Sequence, residues 1–170
     1  MLDKITFAKR YSKALFDLLK AHHELKSGVN DLVRVKDVIE STPQLLTALK
    51  SIGFPEANRK KLVAPLINNV ESKYVKNLIK IVFECGRMDE MTELVKQFII
   101  LYDHDQKIVH ADLITAIKLN AKQQSQLKQA FAKRVGAKQV IFDGKINQGI
   151  IGKNLKSNCI IIDDNIKEQN

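Results

Sequence analysis

The stretch Lys4-Ile5-Thr6-Phe7-Ala8-Lys9-Arg10-Tyr11-Ser12-Lys13-Ala14-Leu15-Phe16-Asp17-Leu18-Leu19-Lys20-Ala21 decides the fold class. One apolar row runs through Ile5, Ala8, Ser12, Leu15 and Leu19, and a neighbouring row through Phe7, Tyr11, Ala14, Leu18 and Ala21. Both keep the i, i+3, i+4, i+7 spacing that places each row on one face of a helix. Together they form an arc wider than a single packing contact needs. Such a helix is either central in a bundle or has a second partner.

Working outward, the same period continues. A second helix is expected from Leu25 to Ile39, with Leu25, Val29, Leu32, Lys36 and Ile39 on one side. Gly28 weakens its start, because glycine is a poor helix residue. Thr42 reads as the N-cap and Pro43 as the first residue of a third helix, which carries Leu45, Leu46 and Leu49 and stops at Gly53. Phe54-Pro55 opens a fourth. Pro65 has no amide donor and its ring clashes with the preceding turn, so a break or kink is expected near Ala64.

Residues 72–85 are the most apolar helix, with Val75, Leu78, Ile79, Ile81, Val82, Phe83 and Cys85. A helix apolar nearly all round is buried on most sides. Gly86 suits the position just past its end, since glycine accepts positive φ without strain. A last helix is expected from Met88 to Asp103, with Met91, Leu94, Val95, Phe98, Leu101 and Tyr102 inward. Asp89, Glu90 and Glu93 occupy its first turns, where the helix dipole favours anions.

The character changes after Asp103-His104-Asp105, which reads as a solvated turn between domains. Ile108 to Ala116 is partly alternating and β-branched, a strand signal. Asn120 caps a helix with Gln123 at N3, as in a capping box, and Gly136 ends it. Leu127, Ala130 and Phe131 are its apolar residues. Val140-Ile141-Phe142 is a short strand, Asp143-Gly144 a hairpin-type turn, and Ile146–Leu155 and Cys159–Ile162 are further strand segments. The fold class is therefore mainly α: a six-helix bundle over residues 1–105, then a small α+β domain of β-α-β-β order over 106–170.

Composition narrows the function. The chain has 170 residues, 45% of them hydrophobic and 28% charged, an ordinary globular balance. No run of about 18 apolar residues is present, which excludes a transmembrane helix. Met1-Leu2-Asp3-Lys4 lacks an apolar h-region, so no signal peptide is expected. Two cysteines, Cys85 and Cys159, make no disulfide framework, and a reduced, cytosolic protein is expected.

The net charge is +9, unevenly spread. Residues 1–105 carry 17 Lys and Arg against 14 Asp and Glu, whereas 106–170 carry 11 against 5. Such a basic excess raises nucleic acid or anionic lipid as partners. The basic features are Arg59-Lys60-Lys61 and the Lys-rich helix 118–134, and no aromatics interleave with them to stack on bases. Each reads as a solvated helix face or as a stripe facing an acidic protein. Gly149-Ile150-Ile151-Gly152 matches a bare GxxG loop, but its two Ile offer phosphate nothing, and a bulge or turn in a sheet is the simpler reading.

Catalytic chemistry finds no support. His22, His23, His104 and His110 form no His-Glu-x-x-His, and Cys85 and Cys159 form no Cys-x-x-Cys. No phosphate loop or dinucleotide fingerprint is present, so neither cofactor nor metal is expected. What remains is helix surface. The wide faces of helices 4–21 and 72–85 are either the wall of a hydrophobic groove for an amphipathic partner helix or simply bundle core.

The ordered motifs add a resemblance. Arg10-Tyr11-Ser12-Lys13-Ala14-Leu15-Phe16 resembles the opening R-Y-A-K-A-L-F of the delta (OSCP) subunits of F-type ATP synthases. Glu84-Cys85-Gly86-Arg87-Met88 falls at that family's N-G-R-L junction. Thr115-Ala116 with Ala121-Lys122-Gln123-Gln124 resembles its T-A…L…Q stretch. Ile146-Asn147-Gln148-Gly149-Ile150-Ile151-Gly152 is similar to V-D-P-S-L-I-G-G, and Ile162-Asp163-Asp164-Asn165-Ile166-Lys167 to I-D-G-S-V-R. Lys153 departs at the second glycine of I-G-G, and Asp164-Asn165 depart at G-S. The chain stops at Asn170, where relatives continue into a short Leu-bearing helix.

The resemblance implies a non-catalytic stator subunit of the peripheral stalk. Its helical domain would sit on the catalytic head and bind the N-terminal helix of an alpha subunit between its first and fifth helices. By position, that groove is Tyr11, Ala14, Leu15 and Leu18 with Leu78, Ile79, Val82 and Phe83 opposite. The C-terminal domain would hold the b subunits around Gly149, Ile150, Ile151, Gly152 and Asp163. The implied place is the cytoplasmic face of the bacterial cell membrane, peripheral and held through the complex, with no nucleic acid partner. The alternative from composition is a basic nucleic-acid-binding adaptor.

Overall fold

The computed structural model describes residues 3–146 and the backbone of 159–163. The chain divides into two compact units, Met1–Tyr102 and Asp103–Asn170. The first unit is built by α1 (Lys4–Ala21), α2 (Leu25–Ser41), α3 (Pro43–Lys50), α4 (Glu56–Asn68), α5 (Lys73–Glu84) and α6 (Met91–Gln106), with a 3-10 turn, Met88–Glu90, leading into α6. The sixth helix runs on past Tyr102 into the second unit.

Local chemistry starts and stops these helices. Asp3 caps α1, its Oδ1 accepting from the Thr6 amide at 2.8 Å, and that bond holds the Asp3 carboxyl below its ordinary pKa. Thr42 and Pro43 take the expected N-cap and N1 places of α3, although the Thr42 side chain makes no capping bond. Gly86 closes α5 at φ +67. The fourth helix is continuous through Pro65, so of the break or kink expected near Ala64 a break is absent. One amide bond is forfeited there. Val63 and Leu66 on either side are buried in the core, and the Asn69 amide closes the next turn on the Pro65 carbonyl at 3.1 Å.

The bundle core is Phe7, Leu15, Leu19, Leu32, Val75, Ile79, Val82, Met91, Leu94 and Phe98 with their neighbours. Gly28 belongs in the first turn of α2 because Leu19 of α1 lies against it: a Cβ there would stand 2.3 Å from Leu19 Cδ1. Asp31 of α2 is buried, and its Oδ2 accepts from the amides of Glu71 (3.1 Å) and Ser72 (2.8 Å). A side chain of α2 therefore satisfies donors at the start of α5, whose own N-cap, Ser72, makes no side-chain capping bond.

Asp103, His104 and Asp105 are not a solvated turn. They form the last turn of α6, which ends where Lys107 takes φ +53. His110 Nε2 lies 2.8 Å from Asp103 Oδ2. Burial raises the Asp103 carboxyl above its ordinary value, opposed by the His110 charge and hydrogen bond.

The second unit contains β1 (Ile108–Thr115), α7 (Ala121–Val135), β2 (Gln139–Ile146) and β3 (Cys159–Asp163). The sheet order is β2-β1-β3. The Asn120–Gln123 capping box is present at α7, and Gly136 ends it at φ +70. Asp143-Gly144 is not a hairpin turn. Both residues lie inside β2 opposite Asp112 and Leu113, because β1 and β2 pair in parallel with α7 as the crossover. A ladder from Gln139 to Ile146 overrides the local turn preference of Asp-Gly. β3 pairs antiparallel with β1, from Ala111↔Asp163 to Thr115↔Cys159. Beyond Ile146, the strand expected to Leu155 lies outside the described residues.

Candidate docking surface

The first and fifth helices pack side by side and run antiparallel. His22, just past the end of α1, stacks on Tyr74 in the first turn of α5 at 4.9 Å between rings. At the other end, the Arg87 guanidinium lies 4.1 Å from the ring of Phe7. Arg87 is also tied to Glu90 at 2.9 Å, which locks the α5–α6 junction to the start of α1.

This packing splits the wide apolar arc of α1 in two. Ala8, Ser12, Leu15 and Leu19 turn into the core. Ala14, Leu18 and the half-buried Tyr11 are left along the outside. On α5 the core takes Val75, Leu78, Ile79 and Val82, while Tyr74 is half-buried and Ile81, seven residues on and on the same face, is exposed. Leu18 is 41% and Ile81 42% exposed, large values for bulky apolar side chains on two packed helices. The result is an outward apolar strip with Cys85 exposed at its end.

Of the eight groove residues expected, Tyr11, Ala14 and Leu18 lie on this strip. Leu15, Leu78, Ile79 and Val82 are buried beneath it and support it. Phe83 is elsewhere: it lines a cleft on the α4 side of α5, with Val63, Ala64 and Ile67. The outward apolar residue of α5 on this strip is Ile81, which the expected set did not include. The signal was available, since Ile81 follows Tyr74 by two helical turns. The near-continuous apolar run of α5 obscured it, because every residue of that run looked equally suited to the core.

Around the strip the charges are mixed. Lys13 and Asp17 pair along α1, and the Lys73 ammonium lies 4.9 Å from the Tyr74 ring. At the α3 end of the bundle, burial works to raise the Asp89 carboxyl. Lys50 at 2.9 Å and Lys4 at 3.5 Å outweigh it and hold the group below its ordinary value.

In the second unit, α7 carries Lys122, Lys128, Lys133 and Arg134 and buries no residue fully. Its one aromatic, Phe131, faces Phe142 of β2 at 6.0 Å. Of the expected stalk-binding residues, Gly149, Ile150, Ile151 and Gly152 lie outside the described residues. Asp163 ends β3, paired with Ala111. Among the described residues, no group of three or more His, Cys, Asp and Glu could hold a metal ion, and no helix is long and apolar enough to cross a membrane.

The described residues thus form a helical bundle with an outward apolar strip, followed by a small α/β unit. Comparison with known proteins makes the class particular. The family described as ATP synthase delta (OSCP) subunit matches residues 7–169. The ATP synthase subunit delta of Limosilactobacillus reuteri is 40% identical over 151 residues, covering 89% of this chain and 83% of the relative. That of Pediococcus pentosaceus is 36% identical over 169 residues, covering 99% and 93%. A chain in the cryo-EM structure of the Toxoplasma gondii mitochondrial ATP synthase hexamer shares the fold, with a TM-score of 0.65 and 20% identity over 86% of this chain and 81% of that one. This chain belongs to the ATP synthase delta (OSCP) subunit family.

Proposed function

We propose that this chain is a non-catalytic peripheral-stalk subunit of a proton-translocating F-type ATP synthase, which links the catalytic head to the stalk and resists the torque of the rotor. The observation that carries this reading is the family match over residues 7–169. A stator acts by staying bound, so it needs slowly dissociating surfaces rather than reactive groups. The exposed Leu18–Ile81 strip supplies such a surface on the bundle.

The partner proposed for the strip is the N-terminal helix of an alpha subunit. Its apolar residues at i, i+3, i+4 and i+7 would lie over Tyr11, Ala14, Leu18 and Ile81, with Leu15, Leu78, Ile79 and Val82 holding the floor. Nanomolar affinity corresponds to about −12 kcal/mol, which a few well-packed anchors can provide. The second unit is proposed to hold the b subunits, with Gly149, Ile150, Ile151, Gly152 and Asp163 in the contact region. The complex would place the chain on the cytoplasmic face of the bacterial membrane.

A nucleic-acid adaptor is less well supported. The one aromatic of the basic helix α7, the half-buried Phe131, packs against Phe142 rather than interleaving with the helix's cations, so among the described residues α7 offers no row of base-stacking aromatics. The deciding experiment is affinity purification of the full chain from detergent-solubilised membranes. Co-purification of alpha and b subunits is expected; nucleic acid without either subunit would overturn the reading.

A further inference from the structure

The Arg59-Lys60-Lys61 run lies on α4, away from the α1/α5 strip, and the proposed stator contacts leave it unused. It borders a cleft of about 480 Å³ between α4 and the end of α5. We propose that this cleft is a second docking site, for an acidic peptide segment that places a bulky apolar side chain on its floor and a carboxylate against Arg59.

Three features of the cleft support this. Its floor is apolar, formed by Val63, Ile67 and Phe83, so an aliphatic or aromatic anchor is the natural contact. Its charges are unequally paired. Lys60 and Glu56 hold each other at 2.8 Å, which leaves Arg59 and Lys80 against the single carboxylate of Glu84 around the same cleft. Arg59 Nε is moreover buried and has no hydrogen-bond partner among the described residues. A buried guanidinium N–H without an acceptor is a costly state that an incoming carboxylate would relieve, through a charge-assisted bond.

The shape selects a peptide. The fourth helix lines the cleft from Glu56 to Ile67, about 17 Å at the rise of an α-helix. That length matches roughly three turns of a bound helix, longer than a compact metabolite needs. Phe83 and Ile81 point to opposite sides of α5, so the cleft and the apolar strip can be occupied together.

The test uses the full chain and a fluorescein-labelled twelve-residue peptide of Glu, Leu and Ala with two Leu one turn apart, followed by fluorescence anisotropy at low and physiological salt. Saturable binding is expected, weakened about fivefold or more by Arg59→Gln and by Lys80→Glu. A peptide with both Leu replaced by Ser should bind as weakly. Lys122→Glu, the same charge change as Lys80→Glu but on α7, should leave affinity unchanged. Circular dichroism of each variant establishes that the bundle is folded. Absence of binding, full binding by folded Arg59→Gln, or an equal loss in Lys122→Glu would overturn the proposal.

Discussion

Two residues show how single atoms set the bundle's geometry. Gly28 looks like a weak point of α2, since alanine is preferred over glycine in a helix by about 1 kcal/mol. Its missing Cβ is nonetheless where Leu19 packs, with Leu19 Cδ1 2.3 Å from the position a Cβ would take. Leu19 is fully buried and has little room to move aside. Gly28→Ala is therefore expected to destabilise the protein by about 1–3 kcal/mol in urea denaturation, as overpacking does. In a Leu19→Ala background the same change should be neutral or stabilising, and an equal loss in both backgrounds would show that the contact is not the cause. Asp31 has the complementary role: it fills a demand rather than a space. Removing its carboxylate in Asp31→Ala strands the amides of Glu71 and Ser72, at a cost of about 1–3 kcal/mol. Asp31→Asn keeps an acceptor oxygen and should lose much less. Neither role was visible in the sequence. The Leu19–Gly28 contact depends on the crossing of two helices. The Asp31 cap joins positions 40 and 41 residues apart, beyond any local motif.

At the scale of elements, what could be read in advance was what the local chain determines by itself. The two rows of α1, the Thr42-Pro43 start and the Asn120–Gln123 box depend on neighbours within one or two turns, and each appears as expected. The readings that failed depended on partners. Asp143-Gly144 favours a turn in isolation but is held extended by eight register pairs with β1. Pro65 lies inside α4, which stays continuous there with Val63 and Leu66 buried beside it, so of the expected break or kink a break is absent. The α5 run did carry a local signal, the two-turn spacing of Tyr74 and Ile81, but its near-continuous apolar character masked the division into core and strip. The Lys4–Asp89–Lys50 cluster ties the beginnings of α1 and α6 to the end of α3, and it gives these elements a pH response. The Asp89 carboxyl is held below its ordinary value of 3.8. Its contribution is fully present above about that pH and is lost as pH falls through the lower folded value, since the unfolded chain then binds the proton more readily. Asp89→Asn should lower the thermal midpoint near neutrality and flatten its fall between about pH 5 and pH 2. A parallel fall in both proteins would assign the acid sensitivity to other carboxylates.

For the whole molecule, the decisive quantity is which apolar surface stays outside after the core has closed. Net charge by itself names no partner: the +9 excess is a property of the whole chain, and the cations differ in their surroundings. Arg59 stands beside an apolar floor, while the cations of α7 stand on a helix with no buried residue. The same distinction gives the sharpest test of the stator reading. Ala14 is exposed on the strip between Tyr11 and Leu18, so a carboxylate there remains solvated in the free protein and costs the fold little. In a complex whose partner helix covers the strip, the same carboxylate would be desolvated without a counter-ion, and an unpaired buried charge is expensive. Ala14→Asp is thus expected to leave the melting temperature of the free chain within a few degrees of wild type while weakening binding to a synthetic alpha-subunit N-terminal helix by about a hundredfold or more. Leu18→Ser should weaken it through loss of an anchor, whereas Lys122→Glu should not. Isothermal titration against that peptide reads all three. If folded Ala14→Asp binds as tightly as the parent, the partner helix does not lie on the α1/α5 strip and the head contact must be sought on another face of the bundle.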